Sequence, residues 1–244
     1  MAISSTARNS LVLAASLSFC IFVQRAVATA PDTIYIPKPG EETSAEAKRV
    51  HEQLSRDPGT LPNAGDADLL YDEAIRARFE LQPEKSRALF EQAIKAKGSM
   101  RAKVKSRIYL KSYLPKYPMT PECEKQYRQA DQLVQHGKLS EALALFQSME
   151  TEYPKLEWVP IGLAAIHLKR EDPERAANCA RRALAINPDY VDAWLILSHE
   201  CLMHHDMEGA QATTQQAHNL DPYSEIVSKA LNAIDNEMAK KRPD

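Results

Sequence analysis

A helix-ending phrase recurs at a fixed interval, and that recurrence restricts the chain to a small set of folds. Asn187-Pro188-Asp189-Tyr190 and Leu220-Asp221-Pro222-Tyr223 are similar, and their prolines lie 34 residues apart. Another 34 residues upstream stands Pro154, in Glu152-Tyr153-Pro154. The register sets three contiguous units: 123–156, 157–190 and 191–224. A sustained period of this length marks a stack of supersecondary units, each burying its apolar face against its neighbours.

Small residues recur within the units. Position eight holds Ala130, Ala164 and Ser198; position twenty holds Ala142, Ala176 and Ala210; position twenty-seven holds Met149, Ala183 and Ala217. Two antiparallel helices in close contact demand this, because a longer side chain at eight or twenty would push the axes apart. Proline near the end of each unit stops the second helix by removing an N–H and disfavouring helix upstream. The turns between helices fall at His136-Gly137-Lys138, Glu171-Asp172-Pro173 and His205-Asp206-Met207. Only 7 glycines in 244 residues, with 44% apolar and 26% charged residues, agree with long helices and a buried core.

The N-terminus reads as a targeting segment. Arg8 precedes an uncharged run, Leu11 to Val23, and Ala26-Val27-Ala28 offers a small-x-small cleavage pattern. The run spans about 20 Å as a helix, short of a bilayer core of about 30 Å. A lipoprotein site would need a small residue before Cys20, where Phe19 stands. Residues 1–28 are therefore expected to be removed, leaving Thr29 first and no stable membrane anchor. This implies export, with a Gram-negative periplasm preferred over the extracellular space. The formal charge of −2 becomes −4 without Arg8 and Arg25, so no electrostatic footprint for nucleic acid is present.

The residues quoted so far, with Trp194 and Leu197 at large apolar positions four and seven, resemble the tetratricopeptide repeat family. That resemblance implies an all-α solenoid of helical hairpins. Departures occur at position four, with Gln126 and Pro160, and at position twenty-four, where Phe146 gives way to Ala180 and Thr214. A degenerate unit is expected at 67–100, with Ala74, Ser86, Phe90 and Ala93 in register and Gly98 in the place of the proline. Residues 101–122 read as a helix, Arg101 to Tyr113, broken by Pro115, Pro118 and Pro121 into a hinge. Residues 29–66 read as a flexible arm with a short helix, Ala45 to Leu54. Residues 225–244 supply a capping helix and tail, with Ile226, Val227, Ala230, Leu231 and Ile234 on one stripe.

The search for chemistry assigns no catalytic, cofactor-binding or metal-binding residue. His199, Glu200, Cys201, His204, His205 and Asp206 form the densest titratable cluster. A zinc-binding helix needs histidines four apart on one face; His199 and His204 are five apart and diverge by about 140°. Cys179 and Cys201 lie on neighbouring helices, as either a disulfide or two reduced packing residues. No phosphate-binding glycine loop or serine nucleophile elbow is present. The basic run Arg101, Lys103, Lys105, Arg107 and Lys111 is spread around a helix and reads as a solvated face.

In the family, first-helix positions two, five, nine, twelve and thirteen line a concave groove. Carried over, the resemblance implies a partner-binding face of Tyr127, Asp131, Trp158, Ile161, Leu168, Leu195, His199, Leu202 and Met203. Trp158 is expected at the open groove and Trp194 between packed helices. The lysines and asparagines with which some family members clamp a C-terminal carboxylate are absent: position five holds Tyr127, Ile161 and Leu195, and position nine Asp131, Ala165 and His199. The expected function is a non-enzymatic adaptor or scaffold for an apolar protein segment. The alternative is an accessory of an envelope assembly or polysaccharide export machine that holds a non-protein ligand. Coverage of the groove by the 45–54 helix or the upstream unit is a further option.

Overall fold

Most helix starts carry a side-chain cap or a first-turn proline. In the computed structural model, which describes residues 66–240, ten helices and no strand occur among the described residues. The chain divides into two units, whose described parts are 66–114 and 115–240. The first holds α1 (Ala67–Phe79), α2 (Pro83–Lys95) and α3 (Met100–Ser112). Asp66 caps α1 by accepting the N–H groups of Asp68 and Leu69, Pro83 opens α2, and Ser99 caps α3 through the N–H of Ala102.

The second unit holds three hairpins and a final helix. They are α4 (Pro121–Gln135) with α5 (Leu139–Glu152), α6 (Trp158–Lys169) with α7 (Pro173–Ile186), α8 (Val191–Met203) with α9 (Met207–Leu220), and α10 (Glu225–Lys240). Each helix packs on its hairpin partner, α5 on α6, α7 on α8, and α9 on α10. Residues 113–120 lie outside helix. Pro121, expected to break a helix, instead opens α4 at its first turn behind the cap of Thr120. Proline at that place loses nothing, because its missing N–H has no helical partner there.

All four hairpins turn in the same way. Leu81, Gly137, Glu171 and His205 occupy position fifteen of their units, with φ of 55°, 74°, 59° and 59°. The next residue donates its N–H five residues back in every case. The pairs are Gln82 to Ala77, Lys138 to Leu133, Asp172 to His167 and Asp206 to Cys201, at 2.9, 2.9, 3.0 and 2.8 Å. A second bond runs from position fifteen to position twelve. This is the Schellman closure, which satisfies the last helical carbonyls. Three of the four hairpins carry a side chain where glycine alone is free of steric cost.

The small residues meet across each hairpin. Ala130, Ala142, Ala164, Ala176, Ser198 and Ala210 are fully buried. So are Ala74 and Ser86 in the first unit. Where serine replaces alanine, its hydroxyl bonds to the facing backbone: Ser86 Oγ donates to the Ala74 carbonyl at 2.7 Å, and Ser198 Oγ to the Ala210 carbonyl at 3.3 Å. The same contact is thus made from opposite sides in the two hairpins. Between hairpins, Phe146 presses against the backbone of Gly162, where a Cβ would come within 2.4 Å of the ring. Buried Asn187 and Asp221 each accept the N–H two residues on, forming the turns that lead into α8 and α10. The capping helix α10 buries Val227, Ala230 and Ile234, while Ile226 and Leu231 stay half-buried.

Candidate functional site

The nine expected face residues come from α4, α6 and α8, whose helices lie next to one another. Tyr127, Trp158, Ile161, Leu168, Leu195 and His199 are buried. Asp131 and Leu202 are half-buried, and Met203 alone is well exposed, at 45%. An open apolar strip is therefore not what the structure contains. The two tryptophans are also exchanged in role. Trp158 retains only 4% exposure. Trp194 is half-buried, and its indole N–H donates to the Pro188 carbonyl at 2.9 Å. The physical reason lies in α6: ten of its twelve residues are buried, so no polar side sets its helical phase.

Trp158 belongs to an aromatic cluster. Tyr127 lies edge-on to Phe146 at 5.3 Å and 5.5 Å from Trp158, and its hydroxyl donates to the Trp158 carbonyl at 3.2 Å. The indole N–H of Trp158 is buried and has no acceptor among the described residues. Burial pushes the Asp131 carboxyl up, while the Gln135 amide and the Lys169 ammonium hold it down. Burial lowers the His199 imidazole, which favours the neutral ring.

Glu157, immediately before Trp158, carries a role that sequence reasoning missed. Its side chain is fully buried. Oε1 accepts the backbone N–H of Lys116 at 2.7 Å and the Asn187 amide at 3.0 Å. One carboxylate thereby ties the segment before α4 to the start of α6 and the end of α7. Burial raises its pKa, and these hydrogen bonds oppose the rise.

The histidine-rich cluster is divided among separate tasks. His199 is buried, Glu200 pairs with Arg181 at 3.4 Å, and His204 lies 3.7 Å from Glu174. His205 forms the left-handed turn, and Asp206 caps α9 through the Gly209 N–H at 2.9 Å. Among the described residues no group of three His, Cys, Asp or Glu side chains is placed to hold a metal ion. Cys123, Cys179 and Cys201 are free thiols, so the disulfide option for Cys179 and Cys201 is not realised. Cys179 instead accepts an Arg182 N–H at 3.0 Å. No helix among the described residues is long and apolar enough to cross a membrane. The expected leader, the arm up to residue 65 and the 45–54 helix lie outside the described residues, while Asp66, the last residue of the expected arm, caps α1.

No protein-family model matches this chain, and no curated protein aligns with it.

Proposed function

We propose that the chain is an exported, non-catalytic interaction module of tetratricopeptide-repeat type. It holds an apolar segment of a partner polypeptide against the face formed by α4, α6 and α8. The observation that carries the reading is exposed Met203, at 45%, beside half-buried Leu202 over a floor of buried apolar side chains. Met203, Leu202 and Asp131 form the accessible margin of this face. The buried Trp158, Ile161, Leu168 and Leu195 shape it from beneath.

A photoreactive amino acid at Met203, compared with one at exposed Gln147 on α5, tests the reading in the organism that makes the protein. The expected result is a discrete adduct from position 203, absent from position 147. Equal labelling from both positions overturns it. Export is tested separately: the purified exported protein is expected to begin at Thr29, and retention of Met1 contradicts the leader.

A further inference from the structure

A second site lies away from that face, where the segment before α4 meets the end of α5. A cavity of about 220 Å³ is lined by Tyr117, Pro118, Met119, Cys123, Tyr153 and Leu156, together with Thr120, Pro154 and Lys155. Its floor is buried and apolar: Met119, Cys123 and Leu156. Tyr117 is one of few large apolar side chains left open to solvent, at 46% exposure. The ammonium groups of Lys116 and Lys155 both lie over its ring, at 6.0 and 5.8 Å. Neither lysine forms a salt bridge among the described residues. The nearby Glu152 is engaged by the hydroxyl of Tyr153, whose pKa is pushed up to about 12 by that bond, and by the Gln126 amide at 3.5 Å.

We infer that this pocket docks an extended peptide that places one large apolar side chain next to acidic residues. Volume sets the first half of the recognition. An apolar cavity of about 150 Å³ holds a benzene ring, whereas drug-sized ligands need roughly 300 Å³ or more. The space here suits a single side chain, and walls of tyrosine and proline suit the flat face of an aromatic ring. Charge sets the second half. Two exposed lysines held at the rim by one tyrosine ring present positive charge beside the apolar opening. A carboxylate on the neighbouring peptide residue meets both cations without being buried, so it keeps most of its hydration. The site is independent of the α4–α6–α8 face, because it shares no residue with it.

Fluorescence anisotropy on the full chain tests the inference with three labelled heptapeptides, alike except for a central Phe-Glu-Glu, Phe-Gln-Gln or Ala-Glu-Glu. The first is expected to bind saturably, and the other two about tenfold more weakly. Lys116→Ser with Lys155→Ser should erase the advantage of Phe-Glu-Glu over Phe-Gln-Gln. Tyr117→Ala should weaken both phenylalanine peptides. Lys169→Ser, at an exposed lysine on α6, should change nothing. All these positions are exposed, and the Lys116 backbone bond to Glu157 survives its side-chain change. Absence of saturable binding, equal binding of the three peptides, or binding indifferent to the pocket variants each overturns the inference.

Discussion

The hairpin α1–α2 and the hairpin α8–α9 are closed by the same chemistry but are packed from outside in different ways. Both turn through a non-glycine residue with positive φ, Leu81 and His205. Both bring a fully buried serine to the carbonyl of the facing alanine. Against α1–α2 lies α3, and the contact is aromatic: Tyr109 of α3 lies 5.9 Å from Tyr71 and 5.3 Å from Phe90. Arg78 and Lys105 lie over the rings of Tyr113 and Tyr71 at 5.3 and 5.7 Å. Against α8–α9 lie α7, whose buried residues are all small (Ala176, Ala177, Cys179, Ala180 and Ala183), and α10. Closing a hairpin is thus a local matter of turn hydrogen bonds and small residues. What stacks on it differs between the two: a hairpin at the 34-residue period beside α8–α9, and a single helix with a cation-rimmed ring cluster beside α1–α2.

The sharpest way to break the packing half of this comparison is to truncate one tryptophan at a time. Trp158→Ala removes a buried ring from the Tyr127–Phe146 cluster and is expected to cost about 3–5 kcal/mol in urea unfolding. Trp194→Ala removes a half-buried ring and one hydrogen bond and should cost about 1–2 kcal/mol. Equal losses would mean that α6 is no more enclosed than α8.

That inversion shows what could and could not be read from the residues. The small positions were legible because nothing larger fits there, and the proline phrases gave the register. Helical phase on α6 was not legible, since Val159, Pro160, Ile161, Leu163 and Ile166 surround it with apolar side chains. The helix start at Pro121 was readable, as Thr120 and Pro121 form a cap and first-turn pair followed by Glu122. The turn conformation was signalled only by Gly137; Leu81, Glu171 and His205 gave no hint of positive φ. Glu157 gave no signal either, because a carboxylate is ordinarily a surface group and its partners, Lys116 and Asn187, are distant in sequence.

A half-buried carboxylate extends the comparison to pH. In the first unit, Asp72 is raised from 3.8 to about 6, by burial first and then by the charge of Asp68. A folded pKa above the unfolded one favours the protonated, folded form. Its stabilising effect is full below pH 4 and is lost as pH rises through about 6. Asp72→Asn should therefore gain on the unaltered protein between pH 4 and 7.5, by about 1–2 kcal/mol after allowance for solvent screening. Melting curves at the two pH values check this, and a constant offset would contradict the raised pKa.

The most direct test of the shared hairpin closure is urea unfolding of Gly137→Ala beside Glu171→Gly and His205→Gly. A Cβ at Gly137 meets no atom within 4 Å, so any loss there reports backbone conformation alone. With φ of 74° at that site, alanine should lose about 1 kcal/mol. The two glycine variants should gain between a few tenths and about 1 kcal/mol, since the freer unfolded glycine takes back part of the relief. A neutral Gly137→Ala together with glycine variants that lose stability would contradict the account that all these hairpins turn through one strained position.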